Sequence, residues 1–502
     1  MTARLLMAVG TMSSAGKSLL VTALCRIYAR RGVRVAPFKA QNLSNNAAVC
    51  ADGAEIGRAQ AVQAAAAGIE PTAHMNPLLL KPEAGSRAQI VLLGRPFKTE
   101  SVWSYDQRRQ VFWEAITASL DHLRETYDLV IVEGAGSPVE LNLKSRDIAN
   151  MSVARYAQAP VLLVGDIDRG GVFAQLLGTL WLLEPEERAL VKGLVVNKFR
   201  GDMSLFADGV QILEERGGVR VIGVVPYVGD LGIPEEDAVV LDEPLFDRTK
   251  HGDADVAVIR LPLISNFDDF DPLIAEPRVH VRYVSSLQEL GRPDAVILPG
   301  TKSTIADLAW LRERGLAQQI VRLANEGTPV AGICGGYQML GRTIRDPHHV
   351  ESPVDEVAGL DLLPIHTTFQ GEKATHRAEA HVLDAPGWLS ALQGEVLRGY
   401  EIHVGQTGTA APWIEITQRS GQRVSVRDGA ASGEGRIWGC YLHGLFENEQ
   451  LRRAWLSSLG WRPNDQQAPS PDRYEAAFER LADVVEDALD IEELDRILSC
   501  VA

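Results

Sequence analysis

The chain has 502 residues, of which 46% are hydrophobic and 23% are charged, an ordinary globular composition with room for about three domains. Its 66 acidic residues outnumber 50 Lys and Arg, and the formal charge of −16 argues against a general binder of nucleic acid or anionic membranes. Five cysteines without a CxxC pair do not form the pattern of a disulfide framework or a zinc site. No apolar run reaches the ~18 residues of a membrane span, so we expect a cytoplasmic protein.

Two series of short apolar runs alternate with helical stretches, which predicts an α/β fold with two doubly wound, mostly parallel-sheet domains and a helical C-terminal segment. In the first half the predicted strands lie at 5–9, 33–37, 129–132, 161–164, 194–196 and 221–225. In the second half they lie at 256–260, 279–284, 295–298, 330–333, 400–404 and 436–442. The periodicity lapses at 235–252, a predicted linker, so we place one domain at 1–240 and another at 252–450.

A helical extension is predicted at 451–502. After a polar, proline-rich stretch at 464–471, Ser470 has the side chain of a helix N-cap and Pro471 suits the first helical position. An apolar stripe at helical spacing follows, consisting of Tyr474, Phe478, Leu481, Val485 and Ala488. The stripe predicts an amphipathic helix that packs against the second domain and closes it.

A glycine-rich segment connects the first predicted strand to the first predicted helix. It reads Gly10-Thr11-Met12-Ser13-Ser14-Ala15-Gly16-Lys17-Ser18. Glycines allow backbone N–H groups to turn towards phosphate oxygens, and the helix N-terminus adds a partial positive charge. Lys17 would neutralise the outer phosphates of ATP, and the Ser18 hydroxyl would reach Mg²⁺. The two outer glycines are six residues apart, one more than in the common GxxxxGK[ST] loop.

This longer loop resembles that of the dethiobiotin-synthetase-like P-loop proteins. The resemblance implies further nucleotide-site residues at the ends of later strands. Glu133 would point at Mg²⁺, Lys39 would add a cation at the same sheet edge, and Asn197 would contact the base. A second metal carboxylate is expected from the segment Asp52-Gly53-Ala54-Glu55, in which Asp52 and Glu55 are alternatives.

A cysteine between glycines marks the second half of the chain. The segment Gly332-Ile333-Cys334-Gly335-Gly336 follows a predicted strand and places Cys334 on a tight, nucleophile-type elbow at the sheet edge. Backbone N–H groups near Gly300 and Gly335 would form an oxyanion hole. His443, at the end of a late strand, is the predicted base, and His403 is its rival.

These elements resemble a class I glutamine amidotransferase domain. Such domains carry a Glu two residues after the histidine, but this sequence has Leu445 there. The missing acid leaves open what orients His443, because the third member of a triad normally fixes the tautomer and geometry of the imidazole. A Cys–His pair without that Glu is the pattern of the branch that amidates cobyrinic acid derivatives.

A dethiobiotin-synthetase-like ATPase followed by this kind of amidotransferase resembles the CobB/CobQ family of cobalamin-pathway amidases over nearly the whole chain. The matching segments lie at 36–42, 55–61, 75–82, 166–173 and 264–267. The resemblance implies that ATP, Mg²⁺ and glutamine serve to amidate the b, d, e and g carboxylates of a corrinoid, adenosylcobyrinic acid a,c-diamide. The nearest alternative is cobyrinic acid a,c-diamide synthase, and the alternative from another class is a ParA/MinD-like nucleotide switch.

A polyanionic corrinoid on an acidic chain would need local cations. The candidates are Arg58, Lys81, Arg87, Lys144, Arg146 and Arg169. Asp147, next to Arg146, is expected to orient the carboxylate that is activated or the ammonia that attacks it. Neither nucleic acid nor a membrane is expected as a partner, and the sequence leaves the oligomeric state open.

Overall fold

The computed structural model describes residues 2–85, 87–97, 105–229, 231–234, 252–462 and 473–500. Of the predicted linker at 235–252, Gly252 alone is among the described residues. Ser470 and Pro471, at the predicted helix start, also lie outside the described residues. Within the described residues, no helix combines the length and the apolar character needed to cross a bilayer.

The first α/β unit runs to residue 234. Its strands are β1 (Arg4–Gly10), β2 (Val35–Phe38), β3 (Gln41–Leu43), β4 (Ala47–Val49), β5 (Glu55–Gly57), β6 (Leu78–Glu83), β7 (Arg87–Leu92), β8 (Arg95–Pro96), β9 (Leu129–Glu133), β10 (Val161–Asp166), β11 (Val191–Phe199) and β12 (Val221–Pro226). Its helices are α1 (Lys17–Arg30), α2 (Arg58–Ala66), α3 (Tyr105–Thr126), α4 (Met151–Ala157), α5 (Val172–Leu182), α6 (Pro185–Arg188) and α7 (Ala207–Gly217).

A six-stranded parallel sheet forms the centre of this unit, in the order β12-β11-β10-β1-β9-β2. The strands predicted in the first half are all in it, and β1 and β9 are buried along almost their whole length because helices cover both faces. The small sheets β3-β6-β7-β8 and β4-β5 were not predicted, and β3, β4, β5 and β8, with two or three residues each, are too short to show periodicity. The central position of β1 brings the glycine loop to the carboxyl edge of the sheet.

The second unit starts at residue 252. Its strands are β13 (Ala254–Ile259), β14 (Val279–Val284), β15 (Ala295–Leu298), β16 (Val330–Ile333), β17 (Thr343–Arg345), β18 (Glu356–Ala358), β19 (His366–Val382), β20 (Val396–Gly408), β21 (Ile414–Arg419), β22 (Gln422–Asp428), β23 (Ala430–Ala431) and β24 (Ile437–Cys440). Its helices are α8 (Asp271–Ile274), α9 (Leu287–Leu290), α10 (Thr304–Glu313), α11 (Leu316–Asn325), α12 (Gly335–Leu340) and α13 (Glu449–Ser458).

Two sheets build the second unit. The mostly parallel one has the order β14-β13-β15-β16-β24-β23, and the other has the order β18-β17-β19-β21-β22 with β20 paired to β19. The run predicted as a strand at 400–404 lies in β20, which is antiparallel to β19 and outside the mostly parallel sheet. A short apolar run indicates a strand but not which sheet it joins.

The chain ends in α14 (Arg473–Ala488) and α15 (Ile491–Ser499), whose apolar faces pack on the first unit, while Tyr474 Oη donates to Glu447 of the second unit at 3.1 Å. Phe478, Leu481 and Val485 share an apolar cluster with residues of α1. Arg30 of α1 also pairs with Glu479 at 2.8 Å. The prediction that this helix closes the second domain is therefore wrong, because an apolar stripe shows that a face is buried but not against what.

The predicted extension at 451–502 is thus divided between the two units. Leu451, Trp455 and Trp461 belong to the core of the second unit, whereas α14 and α15 belong to the core of the first.

Candidate functional site

The glycine loop between β1 and α1 borders a cavity of about 600 Å³. Its backbone is left-handed at Ser14 (φ 60°) and Gly16 (φ 89°). A Cβ at Gly16 would collide with the side-chain amide of Asn197, so the position requires glycine. The Lys17 Nζ curls over the loop and donates to the carbonyls of Met12 (3.2 Å) and Gly136 (3.3 Å).

Glu133 lies at the end of β9, at the floor of this cavity, and is 1% exposed. Its carboxylate accepts hydrogen bonds from Ser18 Oγ (2.9 Å), Lys39 Nζ (2.9 Å) and Gln63 Nε2 (2.5 Å). Burial alone would raise the pKa of Glu133, but the ammonium of Lys39 and the hydrogen bonds from Lys39 and Gln63 lower it. The carboxylate is therefore charged at neutral pH.

A hydroxyl oxygen and a charged carboxylate oxygen are the hard donors that Mg²⁺ prefers, so Ser18 and Glu133 fit a magnesium ion. The described residues contain no cluster of three or more His, Cys, Asp or Glu side chains that could hold a metal ion. Protein would thus supply only part of the coordination shell, and phosphate and water oxygens would supply the rest, as is usual for Mg²⁺ with a nucleotide.

The expected second metal carboxylate does not line this cavity. Asp52 lies in the turn between β4 and β5, where its Oδ1 accepts the N–H of Ala54 at 3.0 Å. Glu55 is buried against Lys81 (2.6 Å) and Lys373 (2.5 Å). Neither alternative is supported, because a backbone turn engages one carboxylate and two ammonium groups engage the other.

Other predicted nucleotide residues lie around the loop. Asn197 lines the cavity, and its Nδ2 donates to the carbonyl of Ala15 at 2.9 Å, which ties the end of β11 to the loop. Thr11 Oγ1 donates to Gln175 of α5 at 3.1 Å. Leu481 and Val485 of α14 form an apolar part of the cavity wall. Sequence reasoning missed this contribution because it assigned α14 to the other unit.

The residues expected to bind the corrinoid carboxylates have different surroundings in the structure. Lys144 pairs with Glu187 at 2.9 Å. Asp147 accepts backbone N–H groups of Ala149, Asn150 and Ser152 at 2.8–2.9 Å, and so caps the start of α4. These contacts explain Lys144 and Asp147 without a substrate.

Only one of the remaining cationic candidates lines the nucleotide cavity. This candidate is Arg169. Arg146 instead lies in the short 3₁₀ turn before α4, and Arg87 is exposed on β7. Lys81 and Arg58 lie at the interface between the two units. Lys81 is buried against Glu55, and Arg58 pairs with Asp268 at 3.0 Å. The expectation that Lys81 and Arg58 hold the corrinoid is not supported, since protein carboxylates already occupy them.

Cys334 occupies a strained backbone elbow between β16 and α12. Its φ of 50° and ψ of −108° are rare for a residue with a side chain, and such strain is concentrated at functional sites. The backbone N–H donates to Cys440 of β24 at 2.9 Å, which anchors the elbow. A Cβ on Gly336 would collide with the carbonyl of Leu298, so the glycine lets α12 pack against β15. The elbow predicted from the glycine pattern is present.

His443 follows β24 and is buried beside Cys334. Its Nδ1 lies 2.6 Å from Asp269 Oδ2, and the other oxygen of Asp269 accepts the N–H of Gly444 at 2.8 Å. Burial alone would lower the pKa of His443, but the Asp269 carboxylate and Cys334 raise it to about 10. Asp269 therefore orients the imidazole in place of the acid that is missing at Leu445.

Sequence reasoning missed Asp269, although it singled out the adjoining segment at 264–267. Asp269 lies in the short 3₁₀ turn Phe267–Phe270 that follows β13, far along the chain from His443. Topology brings the two together, because β13 and β24 belong to the same sheet and both residues follow strand ends at its carboxyl edge. The one available signal was a pair of neighbouring carboxylates, Asp268 and Asp269, in a loop after a buried strand.

The rival histidine has other partners. His403 Nδ1 contacts the carbonyl of Gly405 at 2.8 Å, its Nε2 lies 3.3 Å from Glu401, and its ring stacks on Tyr441 at 3.8 Å. Both ring nitrogens are therefore engaged. In contrast, Cys334 is one of the groups that raise the pKa of His443.

A cavity of about 80 Å³ lies in front of Cys334. The second unit contributes most of its lining, including His443, Thr301 and Gly335. The first unit contributes Lys81, Glu83 and Gln89 from β6 and β7. Gly300 faces the histidine, since a Cβ there would lie 2.7 Å from His443 Cε1. The site is thus assembled from both units.

Comparison with known families agrees with this division. Residues 6–238 match the family described as the CobQ/CobB/MinD/ParA nucleotide binding domain, and residues 255–451 match the CobB/CobQ-like glutamine amidotransferase domain. Fold, sites and family matches together define a glutamine-dependent amidoligase.

Individual relatives identify the family within this class of amidoligases. The chain is 56% identical to a cobyric acid synthase of Chloroflexus aurantiacus over 501 residues, which cover 99% of this chain and 100% of the relative. It is 54% identical to that of Herpetosiphon aurantiacus (99% of both chains) and 49% identical to that of Moorella thermoacetica (96% and 94%). The chain belongs to the cobyric acid synthase family. Neither the a,c-diamide synthase nor the nucleotide switch is favoured.

Proposed function

We propose that the chain amidates the b, d, e and g carboxylates of adenosylcobyrinic acid a,c-diamide, with ATP and glutamine as co-substrates. The observation that carries this proposal is the pairing, in one chain, of a P-loop cavity with a Cys–His–Asp site whose cavity both units line. The choice of substrate rests on the similarity of the whole chain to enzymes named cobyric acid synthase.

Glutamine would be hydrolysed at Cys334. Its sulfur attacks the side-chain amide carbon, and backbone N–H groups at Gly335 and near Gly300 would stabilise the oxyanion. His443, held through Nδ1 by Asp269, donates the proton that lets ammonia leave. Because the pKa of His443 is raised to about 10, the imidazole carries that proton at neutral pH. Water then hydrolyses the thioester and releases glutamate.

The corrinoid carboxylate would be activated at the P-loop cavity. A carboxylate is a poor electrophile, and transfer of the γ-phosphoryl group of ATP converts it to an acyl phosphate with a good leaving group. Lys17 and the loop N–H groups stabilise the charge of the transferring group. Bound Mg²⁺, held by Ser18 and Glu133, would neutralise further phosphate charge. Ammonia attacks the acyl carbon, and phosphate leaves.

Ammonia must reach the acyl phosphate in its unprotonated form. The glutamine cavity opens against Lys81, Glu83 and Gln89 of the first unit, so ammonia would be released at the interface. This arrangement favours a sheltered route between the units. The cations that we propose for the corrinoid carboxylates are Arg169, which lines the nucleotide cavity, and Arg146, in the turn before α4. The five cysteines are all free, which fits a reducing compartment such as the cytoplasm.

Mass spectrometry of the corrinoid products tests the proposal. Cobyrinic acid and its a,c-diamide are each incubated with MgATP and either glutamine or ammonium. We expect four successive replacements of hydroxyl by amino groups on the diamide and little reaction of the acid. Two replacements on the acid with none on the diamide would contradict the proposal and would assign the chain to the earlier amidation.

A further inference from the structure

Helix α2 of the first unit begins at the interface with the second unit. Arg58 is its first residue, and the backbone N–H of Arg58 donates to the carbonyl of Asn46 at 3.1 Å. The Asn46 side chain in turn accepts the N–H of Phe267 at 3.4 Å, in the turn that carries Asp268 and Asp269. The start of α2 is therefore held against the loop that orients His443.

The Arg58 side chain contacts two residues of the second unit. Its Nε lies 3.0 Å from Asp268 Oδ2, and its Nη2 donates to Tyr400 Oη at 2.6 Å. Asn266 Nδ2 also donates to Tyr400 Oη, at 3.0 Å. The side chain of Arg58 is 17% exposed and that of Asp268 is 9% exposed, so little water screens the pair.

Both partners of Arg58 support the imidazole of His443. The Tyr400 ring stacks on it, with centroids 5.2 Å apart and planes inclined by 17°. The backbones of Tyr400 and His443 also exchange hydrogen bonds of 2.9 and 3.2 Å. Asp268 directly precedes Asp269, whose carboxylate holds His443 Nδ1. Without Arg58, two adjacent buried carboxylates would repel each other beside the imidazole.

We propose that Arg58, supplied by the ATP-binding unit, is a positioning residue for glutamine hydrolysis in the other unit. It holds the Tyr400 ring against His443 and balances Asp268, so that Asp269 keeps its place on Nδ1. Glutamine is therefore hydrolysed efficiently only when α2 is docked. The inference rests on the proposed glutaminase role of Cys334 and His443, but not on the identity of the corrinoid.

The same helix reaches the nucleotide site. Gln63, five residues after Arg58, is fully buried and donates to Glu133, which contacts Ser18 of the phosphate loop. At 1.5 Å of rise per residue, about 7.5 Å of helix separates the two contacts. One short rigid element thus fixes a group at each active site, which sets their relative position.

The test compares the wild-type full-length chain with Arg58→Gln and Arg58→Lys. Glutaminase is measured as glutamate release, and the ATP-dependent half is measured as amidation with ammonium. For Arg58→Gln we expect kcat of glutaminase to fall about 10- to 100-fold with KM changed little, because a misplaced imidazole affects the chemical step. Amidation with ammonium should stay within about threefold of wild type, and Arg58→Lys should recover part of the loss.

A second substitution separates positioning from unfolding. Asp268→Asn added to Arg58→Gln removes the unbalanced charge, so the double variant should hydrolyse glutamine about fivefold or more faster than Arg58→Gln alone. Arg377→Gln, which breaks an exposed pair with Glu70 across the same interface, is the matched control and should keep wild-type glutaminase.

Unchanged glutaminase in Arg58→Gln would overturn the inference. So would equal loss of the ammonium-dependent reaction, or a double variant no better than the single one. If wild type releases glutamate but amidates no corrinoid, the proposed substrate fails while the comparison of glutaminase rates still tests Arg58.

Discussion

The two sites of this chain are built in opposite ways. The phosphate-binding loop is one continuous segment between β1 and α1, and its donors are mainly backbone groups and Lys17. The glutamine site combines loops after β13, β15, β16 and β24 with side chains from the other unit. Local sequence can therefore specify the first site almost alone, whereas the second exists only when the sheet and the interface have formed.

The cavities at the two sites also differ, in their volume. About 600 Å³ is available at the nucleotide site and about 80 Å³ in front of Cys334. A large, partly apolar cavity suits a nucleotide beside a bulky corrinoid, and a small one suits the side chain of a single amino acid. Perturbing one site should leave the other working unless the change touches the interface.

The largest expected effect comes from Cys334→Ala. Without the nucleophile, amidation with glutamine should fall on the order of 10⁴-fold or more, while ammonium still supports it within about threefold. Corrinoid products and released glutamate are quantified together. Cys500→Ala, at an exposed cysteine, is the control. Loss of both nitrogen sources in Cys334→Ala would mean that the cysteine also supports the ATP-dependent half.

Asp269→Asn should lower kcat of glutaminase on the order of 10³-fold, because the imidazole loses its orienting acid. Asp269 raises the pKa of His443, so removing its charge lowers that pKa. The proton-donating form of His443 is then lost at a lower pH. The alkaline limb of the pH profile of kcat should therefore shift to lower pH. Asp253→Asn, in a surface pair with Arg278, is the control. An alkaline limb at the same pH as in the wild type would contradict the assignment of Asp269 as the acid that orients His443.

Lys17→Ala should reduce amidation about 10²- to 10³-fold with either nitrogen source, since both routes need the acyl phosphate. Glutamate release should be retained. Lys192→Ala, at an exposed lysine of the same unit, should behave as wild type. Normal amidation in Lys17→Ala would remove the phosphate loop from the mechanism.

Gln63→Leu should slow amidation about 10-fold with glutamine and with ammonium alike, because buried Glu133 loses a charge-assisted hydrogen bond. Gln211→Leu, on the surface of α7, provides the comparison. A change confined to the glutamine-dependent rate would instead place Gln63 in the glutaminase half.

The smallest effect is expected from Val485→Ala in α14. The side chain lines the nucleotide cavity, so truncation should raise KM for ATP about 3- to 10-fold with little change in kcat. Ile497→Val, in the same apolar cluster but away from the cavity lining, is the control. An unchanged KM would exclude α14 from the nucleotide site.

The contrast between a local site and an assembled site also explains how much of the structure could be predicted from the sequence. The phosphate loop and the elbow at Cys334 were predictable because each is a contiguous pattern in which glycine meets a steric demand. Asp269 was not, since it meets His443 only through the order of strands in the sheet. The docking of α14 was not predictable either, because the stripe it presents fits any apolar surface. The sequence could not decide the roles of Asp52 and Glu55 because a carboxylate beside a glycine turn is compatible with a metal, a turn or an ion pair.

The most direct test of the account follows the nitrogen atom between the two sites. The enzyme is given the a,c-diamide, MgATP and glutamine labelled with ¹⁵N in its amide, with unlabelled ammonium in excess over the released ammonia but below the concentration that by itself supports amidation. If glutamine hydrolysis at Cys334 feeds the acyl phosphate across the interface, the new amides should carry mainly ¹⁵N. Amides that reflect the unlabelled pool would show that ammonia escapes to solvent first, and would contradict the coupling of the two sites.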